Sequence, residues 1–325
     1  FRSVDVDVSE AIALFASRIQ SNAFGPEDAG GVCIRAEDLR IDQQGAETRT
    51  GLFSEVAPGA MGEAGDILLD LTGTLHMLGA VELSSSTAGE GNAGNVVLRA
   101  RAVDIDDLAQ ATSDGFVAGI GSEALPDSTG HAGAVSIEVL ERFALRNGGL
   151  VSTATYGAGD AGNVTLSADE IVLDGGGAEI SSYFPTGILG VSESTGQAGM
   201  IEIDAEMLSV VNGALIATDT LSTGNAGNIS LTVSEQLQVL NCGQIISGTA
   251  DVGDAGQITI TTKDSLLDGQ GSGFFTGIAS QANFGSQGHA GDVHLTVDGQ
   301  LQVVDGAQIS KIGRASCRER VSFTV

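Results

Sequence analysis

An Ala-Gly step followed, two residues after the glycine, by an aliphatic residue occurs nine times in this chain of 325 residues. The glycines are Gly30, Gly65, Gly94, Gly133, Gly162, Gly199, Gly227, Gly256 and Gly291, at intervals of 35, 29, 39, 29, 37, 28, 29 and 35 residues. Self-similarity at a period of this size is the mark of a stacked repeat architecture, in which each unit buries its apolar side only against its neighbours. The clearest copies read GNAGNVVL, GDAGNVTL, GNAGNISL and GDAGQITI.

Each copy then alternates like a half-buried strand. The first in-pointing position holds Val32, Ile67, Val96, Val135, Val164, Ile201, Ile229, Ile258 or Val293, and the second holds Ile34, Leu69, Leu98, Ile137, Leu166, Ile203, Leu231, Ile260 or Leu295. A second strand follows, with pairs such as Leu39/Ile41, Leu75/Met77, Val103/Ile105, Ile171/Leu173, Leu208/Val210, Leu237/Val239 and Leu301/Val303. Turn dipeptides come next: Asn147-Gly148, Asp174-Gly175, Asn212-Gly213 and Asp305-Gly306. A third strand ending on Ser or Thr is read at AEISS (178–182), ALIAT (214–218) and QIISGT (244–249). The fold class is therefore all-β, a parallel β-helix (solenoid) of about nine three-strand coils, each triangular and stacked about 4.8 Å from the next. The corner glycine is expected to supply a left-handed bend. Asn95, Asn163 and Asn228, just after it, are expected to hydrogen-bond along the stack.

The four longest intervals contain an added Gly-Leu or Gly-Ile segment: Gly51-Leu52, Gly119-Ile120, Gly187-Ile188 and Gly277-Ile278. These are read as an extra short strand plus a longer loop. The loops near Pro58, Pro126 and Phe284 would then project and be the first places to look for a partner contact. By domain, residues 1–24 read as the end of a preceding coil and 25–311 as the repeat domain. Residues 312–325, with Arg314, Cys317, Arg318 and Arg320, read as a vector- or adaptor-like tail. With no recognisable polar cap at either end, the parent protein is expected to continue on both sides.

Composition narrows the function classes. A net charge of −28 disfavours nucleic acid and anionic membrane surfaces, and no apolar run is long enough to span a membrane. Cys33, Cys242 and Cys317 are too sparse for a disulfide framework or a zinc knuckle. His131 and His289 share a corner position five coils apart, and His76 and His294 read as outward-facing, so none is assigned to a metal or a Cys–His pair. Asp104, Asp106 and Asp107 form the densest acidic group, and Asp66, Asp292, Asp28, Glu63, Asp160 and Asp254 line similar edges. Calcium needs six or more oxygens from a dedicated loop, and no such loop motif is present. Arg99, Arg101, Arg142 and Arg146 could form an anion-binding spot or neutralise an acidic face. Lys263 is the only lysine before residue 311, and Trp is absent. No catalytic, cofactor-binding or metal residue is assigned, and no cofactor is expected.

The G-[ND]-A-G-[NQ]-[VI]-x-[LI] step, followed by L-x-[LV]-x-[ND]-G-A-x-I-x-[ST], resembles the cyanobacterial-type repeat region of filamentous-haemagglutinin-like exoproteins, over roughly residues 17–310. The resemblance implies a right-handed β-helix of the pectin-lyase-like type and export by two-partner secretion through an outer-membrane barrel transporter. It also implies a secreted or cell-surface location and a role in adhesion, aggregation or biofilm, with cell-surface glycans or proteins as partners. The expected function is thus a non-catalytic structural or adhesive segment, not an enzyme. The alternatives are a secreted repeat that binds divalent cations and a β-helical polysaccharide-cleaving enzyme. The rod reading expects no clustered, perturbed carboxylates. The enzyme reading expects at least two within about 5–10 Å.

Overall fold

The structure, a computed structural model, describes residues 3–46, 49–108, 118–177 and 185–313 together with the backbone of 321–324. The molecule is an all-β parallel solenoid, with no helix among the described residues. Each Ala-Gly step opens a coil, giving nine, and residues 4–23 lie before the first of them as three further strands, Val4–Asp7, Ala11–Phe15 and Arg18–Ala23. Val321–Thr324 lies parallel to Val293–Val297, extending the stack at the other end.

Coil follows coil in strict register. Val96 pairs with Ile67 on one side and Val135 on the other, and the same position continues through Val164, Ile201, Ile229, Ile258 and Val293. All eighteen in-pointing first-strand residues are at most 3% exposed. The second-strand pairs are buried as well, except Leu301/Val303 in the last coil, which no further coil covers among the described residues. At about 25 cal/mol per Å² of apolar area removed from water, this one continuous core is the main stabilising term.

Two features of the expected coil are corrected. The first and second strands are separate in some coils only, as at Val32–Ala36 and Asp38–Asp42. In six successive coils they run together as one strand, from Val96–Asp106 to Ile258–Asp268. Register shifts such as that between Val233 and Gln236 mark where some of these strands bend. The coil therefore contributes to two sheets, one of 15 strands and one of 10. Second, the Gly-Leu and Gly-Ile segments are not extra strands: they are the third strands of the long coils. Gly119–Ala124 pairs with Leu150–Thr155, which pairs with Gly187–Ser192, which pairs with Leu215–Thr220. The third strand of the Gly162 coil is thus Gly187–Ser192, and AEISS (178–182) lies outside the described residues.

Extra length is added at two corners only. Between the second and third strands, a short coil turns in a tight reversal with positive φ at both central residues. Examples are Asn147-Gly148 (51° and 105°) and Asn212-Gly213 (55° and 86°), closed by Gly149 N–H to Arg146 O at 2.9 Å and Ala214 N–H to Val211 O at 3.1 Å. Long coils insert residues there instead, and Asp174-Gly175 belongs to such an insertion, with positive φ at Gly176 and Gly177. Cys242 occupies the second central position of a short turn at φ 67°, where its equivalents are glycines. A Cβ in the left-handed region costs roughly 1 kcal/mol, so Cys242→Gly is expected to stabilise the protein by about that much in a urea titration.

The corner after the third strand comes in two forms. In the short form, the hydroxyl of the strand's last residue donates to a glycine carbonyl four residues on: Thr87 to Gly91 (2.6 Å), Thr155 to Gly159 (2.6 Å), Thr220 to Gly224 (2.7 Å). In the long form that residue is Val56, Ala124 or Ala282, and a four-residue turn follows. Its third residue is Gly59, Asp127 or Gly285, at φ 75°, 66° and 95°, and its second is Pro58, Pro126 or Phe284. Proline second and positive φ third is the type II pattern. The expected projections near Pro58, Pro126 and Phe284 are therefore compact turns with their second residue exposed. Removing one short-form hydroxyl, Thr220→Ala, is expected to cost about 1 kcal/mol by equilibrium denaturation.

The Ala-Gly corner works by proximity. None of Gly65, Gly94, Gly133, Gly162, Gly199, Gly227, Gly256 and Gly291 has the positive φ expected of it. Instead, a Cβ on any of them would lie 1.6–2.4 Å from backbone of the preceding coil. Third-strand hydroxyls then tie consecutive glycines together. Ser122 Oγ accepts from Gly133 N–H at 2.8 Å and donates to Gly94 O at 3.0 Å, and Ser85, Ser247 and Ser280 repeat the bridge. The asparagines bond along the stack as expected: Asn95, Asn163 and Asn228 Oδ1 accept from the backbone N–H of Ala134, Met200 and Gln257 at 2.8–2.9 Å.

Candidate functional site

Most polar side chains singled out in the sequence serve the stack. His131 Nδ1 accepts from Asp160 N–H at 2.9 Å, and Asp254 Oδ1 accepts from His289 N–H at 2.8 Å, rungs of one exposed corner ladder. His76 is exposed, and His294 is half-buried on an outward strand position. The four arginines do not converge. Arg99 pairs with Glu138 (2.9 Å), Arg101 with Glu141 (3.1 Å), Arg142 with Glu170 (3.0 Å) and Arg146 with Asp104 (2.7 Å), each across neighbouring coils. Exposed pairs of this kind contribute little stability but neutralise an acidic face. Lys263 pairs with Glu235 in the same way. Cys33 and Cys242 are free thiols far apart in the stack. Among the described residues, no group of three or more His, Cys, Asp or Glu is placed to hold a metal ion.

The acidic run Asp104, Asp106 and Asp107 splits by alternation. Asp104 pairs with Arg146, and Asp106 Oδ1 accepts from Leu108 N–H and Asn147 Nδ2, both at 2.9 Å. Asp107 turns inward, 2% exposed, and accepts from Ala118 N–H at 2.9 Å. Burial pushes its carboxyl up to about 7, against the opposing pull of that hydrogen bond.

The group that sequence reading missed lies on the outer face of the third sheet. Arg49, just before the strand Thr50–Val56, donates to Glu55 and, at 2.9 Å, to Glu82 in the next coil. Its guanidinium stacks on Phe53, 4.1 Å from the ring centre, which leaves this outward Phe only 1% exposed. Burial opposes the charge on Arg49, but Glu82 and Glu55 outweigh it and raise its pKa. Burial likewise holds Glu82 above the usual carboxylate range despite Arg49. One coil further, Glu123 is pushed up to about 7, first by burial and then by the charge of Glu82. Tyr156 is raised as well, by burial and then by Glu123 and Glu193. A cluster of perturbed carboxylates thus exists where the rod reading expected none. It was hidden in the sequence because Arg49, Glu82 and Glu123 come from three coils and share no motif.

Farther along the same face the carboxylates give way to aliphatic side chains. The outward positions of five successive third strands hold Leu150, Leu189, Val191, Leu215 and Ile246, all half-buried, among Ala154, Gly187, Ala217, Gly277 and Ala279. Asp219 is the only ionisable residue in these strands, and burial raises it to about 6.

These raised carboxyls make stability depend on pH in a definite direction. Asp107, Glu123 and Asp219 hold their protons in the folded protein to about 7, 7 and 6, whereas the unfolded chain releases them near ordinary values of 3.8–4.5. The folded state therefore binds more protons between about pH 4 and 7, so stability falls as pH rises through that window. The melting temperature is expected to be higher at pH 5 than at pH 8, and Asp107→Asn should flatten the slope. No family model, curated protein or solved structure matches the chain.

Proposed function

We propose that this chain is a non-catalytic structural and adhesive repeat segment of a large secreted or cell-surface exoprotein of the filamentous-haemagglutinin-like type, exported through a partner barrel transporter. The observation that supports the reading most is where variation sits. The glycine contacts, the hydroxyl bridges and the aliphatic ladders persist from coil to coil, and length changes fall at two corners. A scaffold that stays constant while its edges vary suits display along a rod. Beads coated with the purified chain should bind cells or surface glycans above an uncoated control. Failure to bind any surface, together with release of sugar fragments from a polysaccharide, would overturn the reading.

One specific observation favours a second reading, a β-helical polysaccharide-cleaving enzyme: Glu82 and Glu123 are electrostatically coupled, raised carboxyls beside Arg49. Carboxyls held above their ordinary range suit acid–base work. On that reading, fragments released by the wild-type chain would disappear in both Glu82→Gln and Glu123→Gln.

A further inference from the structure

We infer that Asn163 and Asn228 are sites of N-linked glycosylation, each taking a sugar from a glycosyl diphosphate donor on its side-chain nitrogen. The inference rests on the secreted location in the proposed function, not on adhesion.

The first argument is the motif. Of the ten asparagines in the chain, only these two are followed at the second position by a hydroxyl, in Asn163-Val164-Thr165 and Asn228-Ile229-Ser230. Asn-x-Ser/Thr, with x not proline, is the acceptor pattern of N-glycosylation. Both stand at one repeat position, directly after a corner glycine. Asn95, in the same row, lacks the hydroxyl, as do Asn92 and Asn225 before the glycine.

The second argument is presentation of the reactive atom. Oδ1 of Asn163 accepts from Met200 N–H at 2.9 Å, and Oδ1 of Asn228 from Gln257 N–H at 2.8 Å. An N–H can donate only to the amide oxygen. Each Nδ2 is therefore the free end of its amide, and no described residue accepts from it. Both asparagines are exposed. Asn95 differs here too, because its Nδ2 donates to Asp66 Oδ1 at 3.2 Å. A sugar replaces one hydrogen on Nδ2 and leaves Oδ1 bonded, so the ladder persists in the modified chain. Val164 and Ile229 point inward, at most 1% exposed, and Thr165 and Ser230 take the outward positions that follow.

The third argument is spacing. The rung between the two asparagines is Met200, so they lie two coils, or roughly 10 Å, apart. Adjacent rungs, about 4.8 Å apart, would press two sugar rings together.

The transfer needs only the donor and a transferase. Nδ2 forms a bond to the anomeric carbon of the sugar. The bond from that carbon to the phosphate oxygen breaks, and the diphosphate leaves with the electron pair. Nδ2 gives one proton to a base of the transferase. In the folded rod, Val164 N–H and Ile229 N–H are bonded to Met200 O and Gln257 O at 2.8 and 2.9 Å. The addition therefore belongs to the chain before its coils close, and the folded corner carries the product.

The test is fragmentation mass spectrometry of the chain as exported by the cells that make it. Asn163 and Asn228 should each carry a sugar, and Asn92, Asn95 and Asn225 should be bare. A single hexose identifies a nucleotide-linked donor, and a defined oligosaccharide identifies a lipid-linked one. Thr165→Ala should strip the sugar from Asn163 alone, Ser230→Ala should strip it from Asn228 alone, and Thr165→Ser should keep both. These variants retain the asparagine and its ladder bond, so their melting temperatures should stay within a degree or so of wild type. Exported chain with both asparagines bare, or sugar that persists in both alanine variants, would overturn the inference and leave the secreted reading standing. Unmodified chain that stays inside the cell removes both.

Discussion

Replacing Ile229 with Asp is expected to abolish the cooperative melt of the wild-type stack near its middle. Ile229 is 1% exposed and lies between Ile201 and Ile258 in the central ladder. The change removes roughly 2–3 kcal/mol of apolar burial and places a carboxylate where no cation or donor faces it, at a further cost of several kcal/mol. Together these approach the whole stability of an ordinary domain. Because each coil touches only its neighbours, the damage should spread outward from that coil. Hydrogen exchange is expected to show fast amides in the Gly199, Gly227 and Gly256 coils and slower ones toward the ends of the described stack. Ile229→Val, which keeps the apolar surface, should cost about 1 kcal/mol. An Asp variant that melts like wild type would mean that residue 229 does not point inward.

Gly227→Ala should be nearly as damaging, although it adds only one methyl group, at a buried corner position. The new Cβ would sit 1.9 Å from Gly199 O and 2.5 Å from its carbonyl carbon. Backbone must move to relieve that contact, and the nearest backbone belongs to the strand ladder, where Ile201 N–H donates to Asn228 O at 3.0 Å. Gly227 O also accepts from Thr218 Oγ1 at 2.6 Å. Overpacking of this kind costs typically 1–3 kcal/mol or more when backbone has to shift. The control is Gly25→Ala, where an added Cβ meets nothing within 4 Å and the melting temperature should stay within a degree or so of wild type. A neutral Gly227→Ala would show that the corner glycine is kept for its backbone freedom and not for the close approach of coils.

The contrast between those two glycines shows what could and could not be read from the chain. The ladders Val32 to Val293 and Ile34 to Leu295 were legible because period-two alternation and a fixed offset from the Ala-Gly step leave little freedom in register. The turns at Asn147-Gly148 and Asn212-Gly213 were legible for a local reason, since adjacent positive φ values favour Asn and Gly. That Gly187–Ser192 is the third strand of the Gly162 coil follows from its pairing with Leu150–Thr155, a contact between coils that alternation within GILGVS does not specify. The reason for the corner glycines lay outside any single coil, as did the group formed by Arg49, Glu82 and Glu123, whose members are more than thirty residues apart in successive coils. Burial of Asp107 beside the half-buried Asp106 and Asp104 was likewise set by which way the strand end turns.

Nine coils stacked in register place every side chain discussed above, and one distance tests that stack directly. Cys33 occupies the outward position between Val32 and Ile34, and Thr259 occupies the equivalent position seven coils later. With Cys242 and Cys317 changed to serine, spin labels on Cys33 and on Thr259→Cys should give a single narrow distance near roughly 34 Å, from seven spacings of about 4.8 Å. A labelled pair at Ser136→Cys and Thr259→Cys, four coils apart, should fall near roughly 19 Å. Distances that fail to scale with the number of coils, or a broad distribution spanning both values, would contradict the stack.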